Sequence, residues 1–166
     1  AYGRSKLAGE LEIAEAGGAY VILRTSWVFS AHGSNFVKTM LRLSEIRTAL
    51  NIVDDQIGGP TPAADIAAAC LGIAESLRSY SAKSGVYHFS GAPDVSWKDF
   101  AKAIFELSGR QVAVSDTPTA NYPTLASRPL NSRLDCTETE IVLSSTRPDW
   151  RAGLKVVLTD LGVSIA

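Results

Sequence analysis

Residues 20–29, YVILRTSWVF, constrain the fold more than any other stretch. Their first half is β-branched and almost continuously apolar, which suits a strand covered on both faces inside a parallel sheet. Parallel strands need crossover elements, and the flanking sequence supplies one on each side. Ahead of the strand, Leu7, Ala8, Leu11, Ile13 and Ala14 recur at helical spacing between Arg4 and Ala16, and Gly17-Gly18 ends the run. Behind it, AHGSNFVKTMLRLSEI offers Ser34 or Asn35 as an N-cap for a helix carrying Phe36, Met40, Leu41 and Leu43 on its apolar side. ALNIV (49–53) reads as a short strand. It ends in DDQIGGPTP, whose glycines and prolines predict a loop without regular structure. A helix follows over Ala63–Leu77, then a glycine-bounded strand, GVYHFSG (85–91). Next come a Ser-capped helix, SWKDFAKAIFELSG, stopped by Gly109, and a terminal helix in DWRAGLKVVLTDLG. Strands alternating with helices predict an α/β protein. Between Ser115 and Asp135 the sequence turns rich in Pro, Thr, Ser and Asn, a composition that predicts a long functional loop.

Length and charge narrow the function. A chain of 166 residues with 46% hydrophobic and 20% charged residues has the balance of one globular domain. Sixteen basic against seventeen acidic residues leave no electrostatic footprint for nucleic acid or an anionic membrane surface. No apolar run approaches the ~18 residues of a membrane span, and no basic-then-apolar leader opens the sequence. Cys70, inside an apolar helical run, and Cys136, in a polar stretch, form neither a disulfide framework nor a metal site. The expectation is a cytoplasmic protein. His32 and His88 are too isolated to suggest a metal, and His88 reads as structural.

The chemistry-bearing residues are few. Tyr2 and Lys6 stand four apart at the head of the first helix, so their side chains share a face and can converge on one ligand. An ammonium beside a phenol favours the phenolate, and such a pair is suited to protonating a carbonyl oxygen during hydride transfer. The spacing arises often by chance and has little specificity alone. Trp27 lies at the end of the central strand, where open α/β sheets place ligands, and an indole can stack on the apolar face of a sugar. Arg128 and Arg133, in ASRPLNSRLD, have the guanidinium fork that suits a diphosphate.

Specificity comes from order. YGRSKLAGE, RTSWVF, NFVKTMLRL, DDQIGGPT, GVYHFSG, YPTLASRPLNSRLD and DWRAGL follow one another across essentially the whole chain. In that order and spacing the sequence resembles the extended short-chain dehydrogenase/reductase superfamily and, within it, the dTDP-4-dehydrorhamnose reductase family. The resemblance implies the C-terminal part of an NAD(P)-binding Rossmann-like fold with a smaller substrate-binding lobe, residues 1–166 forming one such unit. The glycine-rich cofactor-binding half of the family has no counterpart here, nor has the Ser or Thr that precedes the family's tyrosine. It implies a catalytic pair, Tyr2 and Lys6, which with Ser26 also contacts NADPH or NADH. It implies a dTDP-sugar substrate held by Trp27, Asn35, Gln56, Thr61, Arg128 and Arg133. The reaction implied is reduction of the C4 ketone of dTDP-4-dehydro-β-L-rhamnose, and these residues by themselves are expected to be inactive. No nucleic acid, membrane or metal enters this reading, and a homodimer stays open. Two other readings are a non-catalytic nucleotide-sugar-binding subunit, against which the intact Tyr2 and Lys6 speak, and an epimerase or dehydratase, against which RTSWVF and SRPLNSRL speak.

Overall fold

The computed structural model describes residues 1–79, 83–122, 126 and 128–165. Helix α1 spans Tyr2–Ala16, and Gly17 and Gly18, both with positive φ, turn the chain back into strand β1, Val21–Arg24. Strand β2 is Val28–Phe29. Helix α2, Phe36–Ser44, is capped by the Asn35 side chain, which accepts a hydrogen bond from the Lys38 amide. Strand β3 (Ala49–Val53) leads through β4 (Ile57–Gly58) and β5 (Thr61–Pro62) into helix α3, Ala63–Ser79. Strand β6 (Gly85–His88), strand β7 (Val95–Ser96), helix α4 (Trp97–Leu107) and strand β8 (Ala113–Thr117) follow. Helices α5 (Thr137–Leu143) and α6 (Trp150–Asp160) complete the order.

The strands form four two-stranded ladders among the described residues. β1 pairs with β6, β2 with β5 and β3 with β8, all parallel, and β4 pairs with β7 antiparallel. Helix α4 is the centre of the main core. Its apolar positions Phe100, Ala101, Ala103, Ile104 and Phe105 are buried, and they meet Val37, Met40 and Leu41 of α2, Ile52 of β3, and Trp150, Leu154, Val157 and Leu158 of α6. A second, thinner cluster joins Ile73 of α3, Tyr87 of β6 and Leu143 of α5. No described helix is long and apolar enough to cross a membrane.

Several sequence expectations change here. The single strand over Tyr20–Phe29 is two strands, because the chain turns at Trp27, whose φ is +49°, and exchanges β6 for β5 as its partner. No residue of β1 is fully buried, since β6 is its one ladder partner. DDQIGGPTP is not free of regular structure. Ile57–Gly58 and Thr61–Pro62 each form a two-residue strand, and Gly59 between them admits a close approach of backbones. A Cβ on Gly59 would sit 2.3 Å from the Gly91 carbonyl oxygen. The first residues of the expected long loop finish strand β8 against β3, and a single 3₁₀ turn follows at Thr119–Asn121. Residues 123–125 and 127 of YPTLASRPLNSRLD lie outside the described residues. The two cysteines reverse their expected settings. Both are free, but Cys70 is exposed on α3 while Cys136 is buried with its sulfur 3.6 Å from the Ser90 hydroxyl.

Candidate functional site

Two groups of side chains stand out, one on α1 and one around the turn between β1 and β2. On α1, Lys6 Nζ lies 5.9 Å from the centre of the Tyr2 ring, so the i, i+4 spacing brings the pair onto one face as the sequence predicts. Tyr2 is 78% exposed and Lys6 is also open to solvent. One long-range side-chain tie holds the helix. Arg24, at the end of β1, donates from Nε (2.9 Å) and Nη2 (2.5 Å) to the Glu10 carboxylate, and that bidentate bond keeps the carboxyl below the usual carboxylate range.

The tie also sets a level. Helix and strand run in opposite directions after the Gly17-Gly18 turn, with Glu10 beside Arg24. Tyr2 lies eight residues before Glu10, about 12 Å along a helix. Trp27 lies three residues after Arg24, past the end of β1. The start of α1 and the turn at Trp27 therefore both lie toward the carboxyl end of β1, where open α/β sheets place ligands. Among the described residues no hydrogen bond or ring contact joins Tyr2 or Lys6 to the Trp27 group.

Around the β1–β2 turn the backbone is held unusually tightly. A tryptophan at φ +49° is costly, of order 1–3 kcal/mol, and persists only where neighbours fix it. Thr61 does so. It is fully buried, its hydroxyl lies 2.8 Å from the Ser26 carbonyl oxygen and 3.0 Å from that of Gly59, and it accepts from the Gly91 amide. The Thr61 amide in turn donates to the Trp27 carbonyl oxygen. Thr61 thus braces the turn from behind. Ser26 Oγ is buried and, among the described residues, is the side-chain oxygen left without a partner. The Trp27 indole stacks on Trp97 with ring centres 3.5 Å apart and planes 9° from parallel, and Gly58 lies against the same indole.

The remaining candidates fall nearby but are engaged differently. Asn35 caps α2 with its carbonyl oxygen and donates its amide to the Ser30 and His32 carbonyls, which is the capping role. Gln56, 9% exposed, donates to the Thr119 hydroxyl, and that hydroxyl donates to Asp55. The Thr119 hydroxyl above all holds the Asp55 carboxyl below the usual carboxylate range. Arg133 is exposed, with its guanidinium 3.9 Å from Asp94 and a second, weak bond to Asn131, and Arg128 is exposed. Asp94 also pairs with Arg147 at 2.5 Å, and Arg147 further donates to the Ser90 and Gly91 carbonyls beneath the Gly59 approach. Sequence reasoning missed Trp97, Gly58, Asp94 and Arg147. The one usable signal was an aromatic residue directly after the Ser96 cap. No group of three His, Cys, Asp or Glu side chains gathers as a metal site among the described residues.

Parallel ladders with crossover helices define an α/β protein of the Rossmann-like class. Residues 1–163 match the family described as RmlD substrate binding domain, and the chain belongs to that family. A dTDP-4-dehydrorhamnose reductase of Sinorhizobium fredii is 48% identical over 155 residues, covering 90% of this chain and 52% of the relative. The crystal structure of such a reductase from Clostridium acetobutylicum superposes with a TM-score of 0.89 at 34% identity, over 97% of this chain and 55% of the other. That of the Bacillus anthracis enzyme, in complex with NADP, gives 0.84 at 36% identity, over 96% and 55%. The chain spans about half the length of the curated relatives it matches.

Proposed function

We propose that these residues form the substrate-binding part of an NAD(P)H-dependent dTDP-4-dehydrorhamnose reductase, acting with a glycine-rich cofactor-binding segment. The protein would reduce the C4 ketone of dTDP-4-dehydro-β-L-rhamnose to dTDP-β-L-rhamnose. The observation that supports this reading is the match of residues 1–163 to the family, with Tyr2 and Lys6 on one face at the start of α1 and Trp27 just past the end of β1. Tyr2 would be the proton donor and Trp27 an apolar wall for the sugar.

The donor set fits a nicotinamide nucleotide. Ser26 offers a buried hydroxyl without a partner among the described residues, and the Tyr2–Lys6 face offers a phenol and an ammonium suited to ribose hydroxyls. Bound there, the cofactor supplies the hydride that reaches C4. The residues of this chain do the rest. Tyr2 gives its phenolic proton to the C4 oxygen as the carbonyl becomes an alcohol, and is reprotonated from solvent. Lys6 holds the ribose and steadies the charge left on the phenol. Trp27 covers the apolar face of the sugar, and Arg133 and Arg128 offer guanidinium groups to the diphosphate. Thr61 braces the turn that presents Trp27, while Gln56 bonds to Thr119 and Asn35 caps α2.

The test is an assay of the full-length protein with NADPH or NADH and dTDP-4-dehydrorhamnose, following cofactor oxidation and the dTDP-sugar product. Turnover to dTDP-rhamnose at about 1 per second or faster is expected. Tight dTDP-sugar binding without turnover would instead favour a non-catalytic binding subunit.

A further inference from the structure

Trp27 is held by two residues to which neither composition nor motif assigns a role. Trp97 lies in a near-parallel stack with it, ring centres 3.5 Å apart. Gly58 also stands against the indole, where a Cβ would come within 2.7 Å of Cε2 and 2.8 Å of Nε1. Any side chain at residue 58 would push the ring away. Trp97 does not float either. Its ring packs on Phe36, 4.6 Å away, which in turn stacks on Phe100 at 5.6 Å, and Phe100 meets Phe29 and Trp150 inside the core. A chain of aromatic contacts thus runs from the buried centre of the molecule to the half-buried indole at the site. Trp97 and Trp27 themselves belong to neither the fully buried set nor the exposed one. Trp97 packs against the main core cluster, so the stack ties the orientation of the outer ring to the core.

We propose that Trp97 and Gly58 form a slot that fixes the indole of Trp27, and that Trp97 is the positioning residue for the sugar-binding wall. The inference rests on the reading of Trp27 as a sugar contact. In the slot the Trp27 ring loses rotational freedom before substrate arrives, so less ordering cost is met on binding. Because the contact is made equally with ground state and transition state, its loss appears in KM while kcat stays near its original value.

The experiment is steady-state kinetics on the full-length protein with four variants: Trp27→Ala, Trp97→Leu, Gly58→Ala, and the double change Trp27→Ala with Trp97→Leu. Trp97→Leu should abolish the exciton couplet of the stacked indoles in circular dichroism and raise KM for the dTDP-sugar about two- to tenfold. Gly58→Ala should raise KM comparably with Trp97 intact. In the Trp27→Ala background, Trp97→Leu should add nothing further to KM, whereas a merely structural residue would add its own effect. An unchanged KM in Trp97→Leu after loss of the couplet, or full additivity in the double variant, overturns the proposal. Should Trp97→Leu fail to fold, Trp97→Phe and Gly58→Ala carry the same test, and an unchanged KM in Gly58→Ala counts against the slot. If Trp27→Ala itself leaves KM unchanged, it is the sugar-contact reading that fails, and the slot falls with it.

Discussion

The two halves of this chain are built to different standards. The lobe around α4 closes a continuous core, from Phe29 through Val37, Ile104 and Trp150 to Leu158, with most of these side chains sealed from water. Among the described residues the layer of α1, β1, β6, α3 and α5 gathers Ile73, Tyr87 and Leu143 as its buried apolar cluster, and α1 buries none. Leu7 and Leu11 of α1 stand half or more exposed. Yet the thin layer carries Tyr2 and Lys6, and the dense lobe carries the supports of Trp27. Among the described residues the side-chain ion pair that holds α1 is Glu10–Arg24, and the chain spans about half the length of its curated relatives.

The largest expected contrast is in hydrogen exchange of the 166-residue chain. Amides of Phe100–Phe105 in α4 should exchange only through global unfolding, while those of Leu7–Glu12 should exchange by local fraying, about four decades faster. Equal protection in the two helices would erase the distinction. Core truncation gives the next contrast. Ile104→Ala should cost about 2–5 kcal/mol in denaturant unfolding, and Leu11→Ala should stay within about 0.5 kcal/mol.

Acid provides a smaller and more local effect. The Asp55 carboxyl lies below its ordinary value because Thr119 bonds to it, so the stabilisation it gives is fully present above about pH 3.9. It is lost as pH falls through the lower folded-state value. The junction between β3 and the 3₁₀ turn should loosen in that window, and Asp55→Asn should loosen it at neutral pH. The Thr119 amide resonance reports both, and a Thr119 shift unmoved by acid or by Asp55→Asn would show that the tie is not made.

The dense lobe was the more legible half. Capped, strongly amphipathic helices such as 97–107 announce themselves because their apolar face repeats at 3.6 residues and Ser96 marks the start. Strand β3 and the stop at Gly109 were equally plain. The break at Thr25–Trp27 was not, because its cause is non-local. The Thr61 amide and hydroxyl, thirty-odd residues away, hold a left-handed tryptophan that local propensity would never choose. The two-residue strands at 57–58 and 61–62 were hidden for the same reason, since their partners β7 and β2 lie far along the chain. Helix α5 went unread because seven residues give too few turns for a periodicity to register. Of the candidate site, Tyr2 and Lys6 were legible as a spacing that the helix brings onto one face, and Trp27 as an aromatic near the strand end. Trp97 and Gly58 were invisible, because what they do depends on which ring they touch.

The division of labour between the two regions is tested most directly by replacing Tyr2 with Phe in the full-length protein and measuring kcat and KM for the dTDP-sugar. The phenylalanine keeps the ring and removes the proton, so kcat should fall by about 10² to 10⁴ with KM changed little. A Tyr2→Phe enzyme that retains most of its turnover would contradict the account, because the proton would then come from somewhere other than α1.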